Sequence, residues 1–161
     1  MTTHTAHIAS LAPNEGEIIP GLAGSVSRLL LESRELDLAI MKLTAGGEPP
    51  RHVHTREDEW AYILEGELDV SVGDEPPFRA SAGSLVWLPL GVPHSYVVRG
   101  SHVRAVFGAQ PGGLAQMFRD FVEAFGGEVP EVLTEEHQRA FVETSARYGI
   151  TILALGEEAS V

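Results

Sequence analysis

The sequence predicts a mainly-β protein, an antiparallel sandwich or barrel with helices packed on it. Two patterns carry that prediction. From Val26 to Phe107 the chain runs in short apolar stretches: Val26–Leu31, Leu36–Leu43, Trp60–Leu64, Leu68–Val72, Leu85–Leu88, Tyr96–Val98 and Val103–Phe107. They are broken by Gly46-Gly47-Glu48-Pro49-Pro50, Gly73-Asp74-Glu75-Pro76-Pro77 and Pro89-Leu90-Gly91-Val92-Pro93. Many short strands with Gly/Pro turns at this spacing read as an antiparallel sandwich or barrel. After Gln110 the period changes from that of strands to that of helices.

The elements follow in order. Residues 1–25 are rich in Gly, Pro and small polar residues and form a loose arm with room for one strand. Residues 26–110 make the barrel, and 111–161 a helical extension. Pro111-Gly112-Gly113 breaks the last strand. Leu114, Met117, Phe118, Phe121, Val122 and Phe125 then recur at steps of three and four, one apolar helix face closed by Gly126-Gly127. Thr134 is placed to N-cap a second helix through Tyr148, with Glu135 and Glu136 in its first turn and Gly149 beyond its end. Ile150–Leu155 returns as a strand or lies on the barrel. The whole, 1–161, is expected to be one domain, which suits 161 residues.

Composition narrows the function classes. The formal net charge is −12, which repels a phosphate backbone and argues against nucleic acid as a partner. No apolar run approaches the length of a membrane span. The start, Met1-Thr2-Thr3-His4-Thr5-Ala6-His7, lacks the basic and apolar regions of a secretory signal. Cysteine is absent, which removes disulfides and thiolate chemistry. A cytoplasmic location is the expectation from these features.

The informative stretch is His52-Val53-His54. Residues two apart on a strand point to one face, so both imidazoles reach the same point. Glu59 follows across the polar link Thr55-Arg56-Glu57-Asp58, and the stiff turn ending at Pro93 delivers His94 at the start of another strand. Imidazoles with a carboxylate suit one divalent transition metal per chain: Fe, Mn, Ni, Co, Cu or Zn. Three nitrogens and one oxygen leave a coordination position open, and Glu59 reduces the ion's charge to about +1. Burying four such side chains unpaired in a small barrel would cost several kcal/mol, which weighs against a purely structural role. His4, His7, His102 and His137 lie in the arm, at a turn or on a helix face and receive no role.

At these residues the sequence resembles the cupin superfamily. Gly46, His52, His54, Glu59 and Gly66 match the first cupin motif without a gap. Gly83, Pro89, Gly91 and His94 match the second, with Val98 where Asn is usual. The resemblance implies a jelly-roll β-barrel, metal on His52, His54, Glu59 and His94, and a homodimer. The tail after Phe107, with Met117-Phe118 and Arg147-Tyr148-Gly149-Ile150, is similar to bacterial quercetin dioxygenase-like cupins. That similarity implies a metal-dependent dioxygenase acting on an enolic or phenolic aromatic small molecule, with Glu59 as the catalytic base of raised pKa. Two alternatives stand beside it: an oxygen-independent isomerase or polyketide-cyclase-like enzyme, and a non-catalytic binding barrel.

If Glu59 faces in, alternation puts Ala61 and Ile63 in the substrate pocket and Trp60, Tyr62 and Leu64 outside. His94 inward brings Tyr96 and Val98 inward. Met41 and Phe107 are further candidates for the lining. The outer apolar face needs cover from the C-terminal helices or from a second subunit.

Overall fold

In a computed structural model, which describes residues 10–153, nine strands and two helices follow one another along the chain. The strands are β1 (Glu17–Pro20), β2 (Val26–Glu32), β3 (Asp37–Thr44), β4 (His52–His54), β5 (Asp58–Val72), β6 (Phe78–Ser81), β7 (Leu85–Leu88), β8 (His94–Gln110) and β9 (Ile150–Ile152). The helices α1 (Leu114–Ala124) and α2 (Glu135–Arg147) lie between β8 and β9. One run of paired strands has the order β1-β2-β3-β8-β4-β9, and β5 joins β8 to β6 and β7. Every pairing is antiparallel.

The sequence reads two strands where the structure has one, twice. Trp60–Leu64 and Leu68–Val72 are both part of β5, and Tyr96–Val98 and Val103–Phe107 are both part of β8. The turn-like residues between them are bends. Register shifts fall between Ile63 and Glu65 and again between Glu65 and Glu67. Gly66 takes a positive φ there, and a Cβ would meet the His102 carbonyl oxygen at 2.6 Å. Such irregularities let a long strand curve around a barrel without breaking its ladder. The short β6 was not legible: only Ala80 of its four residues is buried.

Two apolar clusters divide the interior. Ile63, Val70, Val86 and Val103, all nearly fully buried, centre the barrel core. Phe107, Ala109, Leu114, Met117 and Ile150 form the second, where the helices meet the barrel. The start of α1 is held from β3: the buried Asp37 carboxylate accepts from Gly113 N at 2.8 Å and Ala115 N at 2.9 Å. These are amide groups that a helix cannot satisfy by itself. Thr134 caps α2 as its position predicts, accepting from His137 N while His137 Nδ1 accepts from Thr134 N, both at 3.3 Å. His137, expected on an exposed face, is thereby part of a capping box. The tail then pairs β9 with β4, and β9 resolves the choice between strand and loose segment for Ile150–Ile152. His4 and His7 lie outside the described residues.

The helices pack on each other, with α1 against β1 and the second cluster and α2 against β9. They leave the outer face of β5 and β7 uncovered. Tyr62, Leu85 and Trp87 are 43%, 63% and 46% exposed, so of the two covers expected for that face, the C-terminal helices or a second subunit, the helices do not provide it.

Removing the Asp37 carboxylate orphans two amides at the start of α1. Asp37→Ala should lower the free energy of unfolding by about 1–2 kcal/mol, measured by urea titration, with Asp37→Asn recovering part of the loss.

Candidate metal centre

Four polar side chains converge in this apolar interior. His52 and His54 are the ends of β4, and both are buried while Val53 between them is not fully so. His94 opens β8 directly opposite His52 in the ladder. Glu59 is the second residue of β5, paired with Ala109 and Leu88. The turn before His94 is tied to the other motif at two points: Gly91 N donates to the His54 carbonyl at 2.9 Å, and Leu90 N to the Asp58 carboxylate at 2.8 Å. Strand β4 has only one ladder pair with β8 but three with β9. The C-terminal tail therefore fixes the strand that carries two of the four residues.

One candidate ligand atom from each of His52, His54, Glu59 and His94 lies within 4.8 Å of all the others. The ring orientations follow from what each Nδ1 touches. His52 Nδ1 lies 2.7 Å from the Pro50 carbonyl, and His94 Nδ1 3.0 Å from the Val92 carbonyl. A carbonyl oxygen only accepts, so both Nδ1 atoms carry the proton and donate, and in the neutral ring Nε2 keeps its lone pair. His54 Nδ1 donates to the carboxylate of Glu57. Glu59 Oε2 lies 3.0 Å from His54 Nε2 and 3.6 Å from His94 Nε2. His94 is fully buried and its Nε2 has no hydrogen-bond partner. An orphaned buried nitrogen beside two more imidazoles and a carboxylate fits a cation. Nitrogen with one oxygen, and no sulfur, is the donor set of a borderline divalent ion.

The electrostatics refine the reading from sequence in two ways. Burial raises the pKa of the Glu59 carboxyl, but its hydrogen bond with His54 and its charge interactions with His54 and His94 outweigh burial and hold it below the usual carboxylate range. A general base needs the opposite shift, so the expected raised pKa is corrected. Glu57 also enters the site. The sequence places it in a short polar link with no role, yet it is only 4% exposed and sits behind His54. A divalent ion there would face two carboxylates, so the charge of about +1 assigned from Glu59 alone is too high. Glu57 lies three residues after His54 in the link between β4 and β5, off the period of two that reveals strand neighbours.

A cavity of about 130 Å³ adjoins the cluster, lined in part by His52, His54 and Glu59. Tyr96, Met41 and Phe107 line it, whereas Ala61, Ile63 and Val98 pack in or against the barrel core beneath. Burial, with the charges of Glu59 and Glu48, pushes the Tyr96 phenol well above its ordinary pKa, so it stays a neutral O–H donor. Five of the six phenylalanines line the same space: Phe107 from β8, Phe118, Phe121 and Phe125 from α1 and its end, and Phe141 from α2. Phe121 stacks on Phe141 with centroids 4.8 Å apart, which joins the two helices into one aromatic roof. His102 lies apart from this site, 3.5 Å from Glu65.

A curved antiparallel barrel with three imidazoles and one carboxylate at its centre is the arrangement that the resemblance to cupins implies. The family model for the cupin domain matches residues 39–107, and this stretch of the chain is a cupin domain. The chain is 28% identical over 122 residues to quercetin 2,3-dioxygenase of Bacillus subtilis (strain 168), a match covering 73% of this chain and 36% of that protein. The chain thus spans about a third of that relative's length. Among solved structures it is similar to KdgF from Halomonas sp., with TM-score 0.61 and 18% identity over 68% of this chain and 99% of that one. An RmlC-like cupin from Shewanella frigidimarina NCIMB 400 gives TM-score 0.56 and 24% identity over 63% of this chain and 89% of that one. These two likenesses show the fold. Among the described residues no helix is long and apolar enough to cross a membrane.

The two β4 histidines differ in what they must give up to a metal. Burial lowers the pKa of His52 to about 4, despite the pull of Glu59, so at pH 7 its ring is already neutral. Burial also opposes a cation at His54, but the hydrogen bonds to Glu57 and Glu59 outweigh it and raise that pKa to about 9. An incoming ion displaces the His54 Nε2 proton. Affinity for Zn²⁺ should therefore rise about tenfold per pH unit from pH 6 toward 9, with about one proton released per ion at pH 7. Calorimetry in buffers of different ionisation enthalpy reads the proton; a pH-independent affinity would contradict this electrostatic picture.

Proposed function

We propose that this protein is a metal-dependent cupin enzyme, and that its reaction is the dioxygenation of a planar enolic or phenolic aromatic. The observation that carries the proposal is the aromatic roof facing the ligand cluster across one cavity. Flat apolar walls select a flat apolar ligand, and convergent polar groups at one end orient it. His52, His54, Glu59 and His94 would hold the ion. When bound, the ion would supply a Lewis-acidic and, for Fe, Mn, Co, Ni or Cu, redox-active centre. The similarity to a quercetin 2,3-dioxygenase supports this choice of reaction over other metal-dependent chemistry.

The chain's own residues have distinct roles in this reading. Glu59 serves as a ligand, its Oε2 lying 3.0 Å from His54 Nε2 and 3.6 Å from His94 Nε2. Tyr96 donates its phenol proton in a hydrogen bond to an anionic ligand oxygen, which orients the ring that carries it. The phenylalanines of α1 and α2 exclude water from the bound molecule. The test is oxygen uptake by the metal-loaded protein with a panel of flavonols and other enolic aromatics. Ring-cleaving oxygen consumption supports the proposal. Turnover that persists without oxygen would replace it with an isomerase or cyclase, and tight binding without product would replace it with a binding barrel. Tyr96→Phe should raise KM or lower kcat by about tenfold, the worth of one hydrogen bond to a charged group.

The proposal includes a homodimer formed through the exposed sheet face. Trp60 pairs with Trp87, and Tyr62 with Leu85, in alternate ladder rows of β5 and β7, on one face of the sheet. Leu64 is 40% exposed beside them. A contiguous aromatic and aliphatic face of this kind marks a contact surface, and a second copy of the chain offers the matching one. Wild type should sediment at twice the chain mass, and Trp87→Glu at the chain mass with metal content unchanged.

A further inference from the structure

We propose that Glu57 is a positioning residue of the metal centre: it holds the His54 ring so that Nε2 faces the other ligands, and its charge makes that ring the most strongly donating of the three. The inference rests on the metal reading above and goes beyond it, because Glu57 belongs to neither sequence motif.

Three observations carry it. Glu57 is buried although its neighbours Thr55 and Arg56 are exposed, so the chain turns this one carboxylate inward against its own polarity. Its oxygen meets His54 at Nδ1, the ring nitrogen opposite the one that faces Glu59. The other two imidazoles are held differently, His52 by the Pro50 carbonyl and His94 by the Val92 carbonyl.

The contrast decides between orientation alone and orientation with charge. A backbone carbonyl fixes a tautomer as well as a carboxylate does, as His52 and His94 demonstrate. A buried carboxylate costs far more to desolvate than a carbonyl. That cost is offset if positive charge lies beyond the ring, where an ion held by Nε2 would be. A carboxylate hydrogen-bonded to the far nitrogen raises the basicity of a ligating imidazole and fixes its plane. Removing it weakens the ion's hold without removing a ligand atom.

The experiment measures apparent affinity for Zn²⁺ and Co²⁺ at fixed pH by competition with a chromophoric chelator. Wild type, Glu57→Gln and Glu57→Ala are compared. Glu57→Gln keeps the shape and an acceptor oxygen, and its thermal unfolding reports that the fold is intact. It should bind about 10- to 100-fold more weakly than wild type, with Glu57→Ala at least as weak. The visible absorption bands of bound Co²⁺ should shift in Glu57→Gln, a readout that a purely structural carboxylate would leave alone. Wild-type binding matched by Glu57→Gln, with the same Co²⁺ spectrum, overturns this inference and leaves the metal reading standing. No binding by wild type overturns both.

Discussion

The structure depends on one constraint: three imidazole nitrogens and a carboxylate are held within 4.8 Å of one another inside an apolar barrel. Left alone, such a cluster opposes folding, because each polar atom has lost water and His94 Nε2 has no partner in exchange. The surrounding chain is arranged to hold it nonetheless. Two backbone carbonyls and one carboxylate take the three Nδ1 protons, which leaves the rings no freedom to turn. The second motif's turn is pinned to the end of β4 and to Asp58. The tail returns as β9 to complete the ladder of the strand that bears two ligands. These contacts make sense together as the support of a cation.

The helices add aromatic side chains to the lining of the cavity beside the cluster. Open at its mouth, the cluster would face water. With the helices in place, His52, His54 and Glu59 share a largely apolar cavity with Phe118, Phe121 and Phe141. The helices thus line part of the cavity from outside residues 39–107, the stretch that the family model matches. Asp37, reaching from β3 to the first turn of α1, sets where that roof begins.

Much of this was legible in the sequence, and the rest was hidden for physical reasons. His52, His54, Glu59 and His94 were readable because strand alternation and a stiff proline turn place them without knowledge of distant contacts. Thr134 and Gly149 marked α2 through local capping chemistry. The continuity of β5 and β8 was not readable, since Gly66 and Gly100 signal a turn and a bend in the same way. The position of the helices was not readable either: an apolar stripe states that a helix face is buried, not against what. Glu57 was read only as part of a polar link because burial of a lone acid depends on the ring it meets, and that meeting is set by the turn from β4 to β5.

The most direct measurement of the central claim is the metal content of tag-free protein by elemental analysis, beside a His52→Ala/His54→Ala variant. The account requires about one transition-metal ion per chain in the wild type and its loss in the variant. A wild type that stays metal-free after reconstitution, or a variant that keeps its ion, would contradict it.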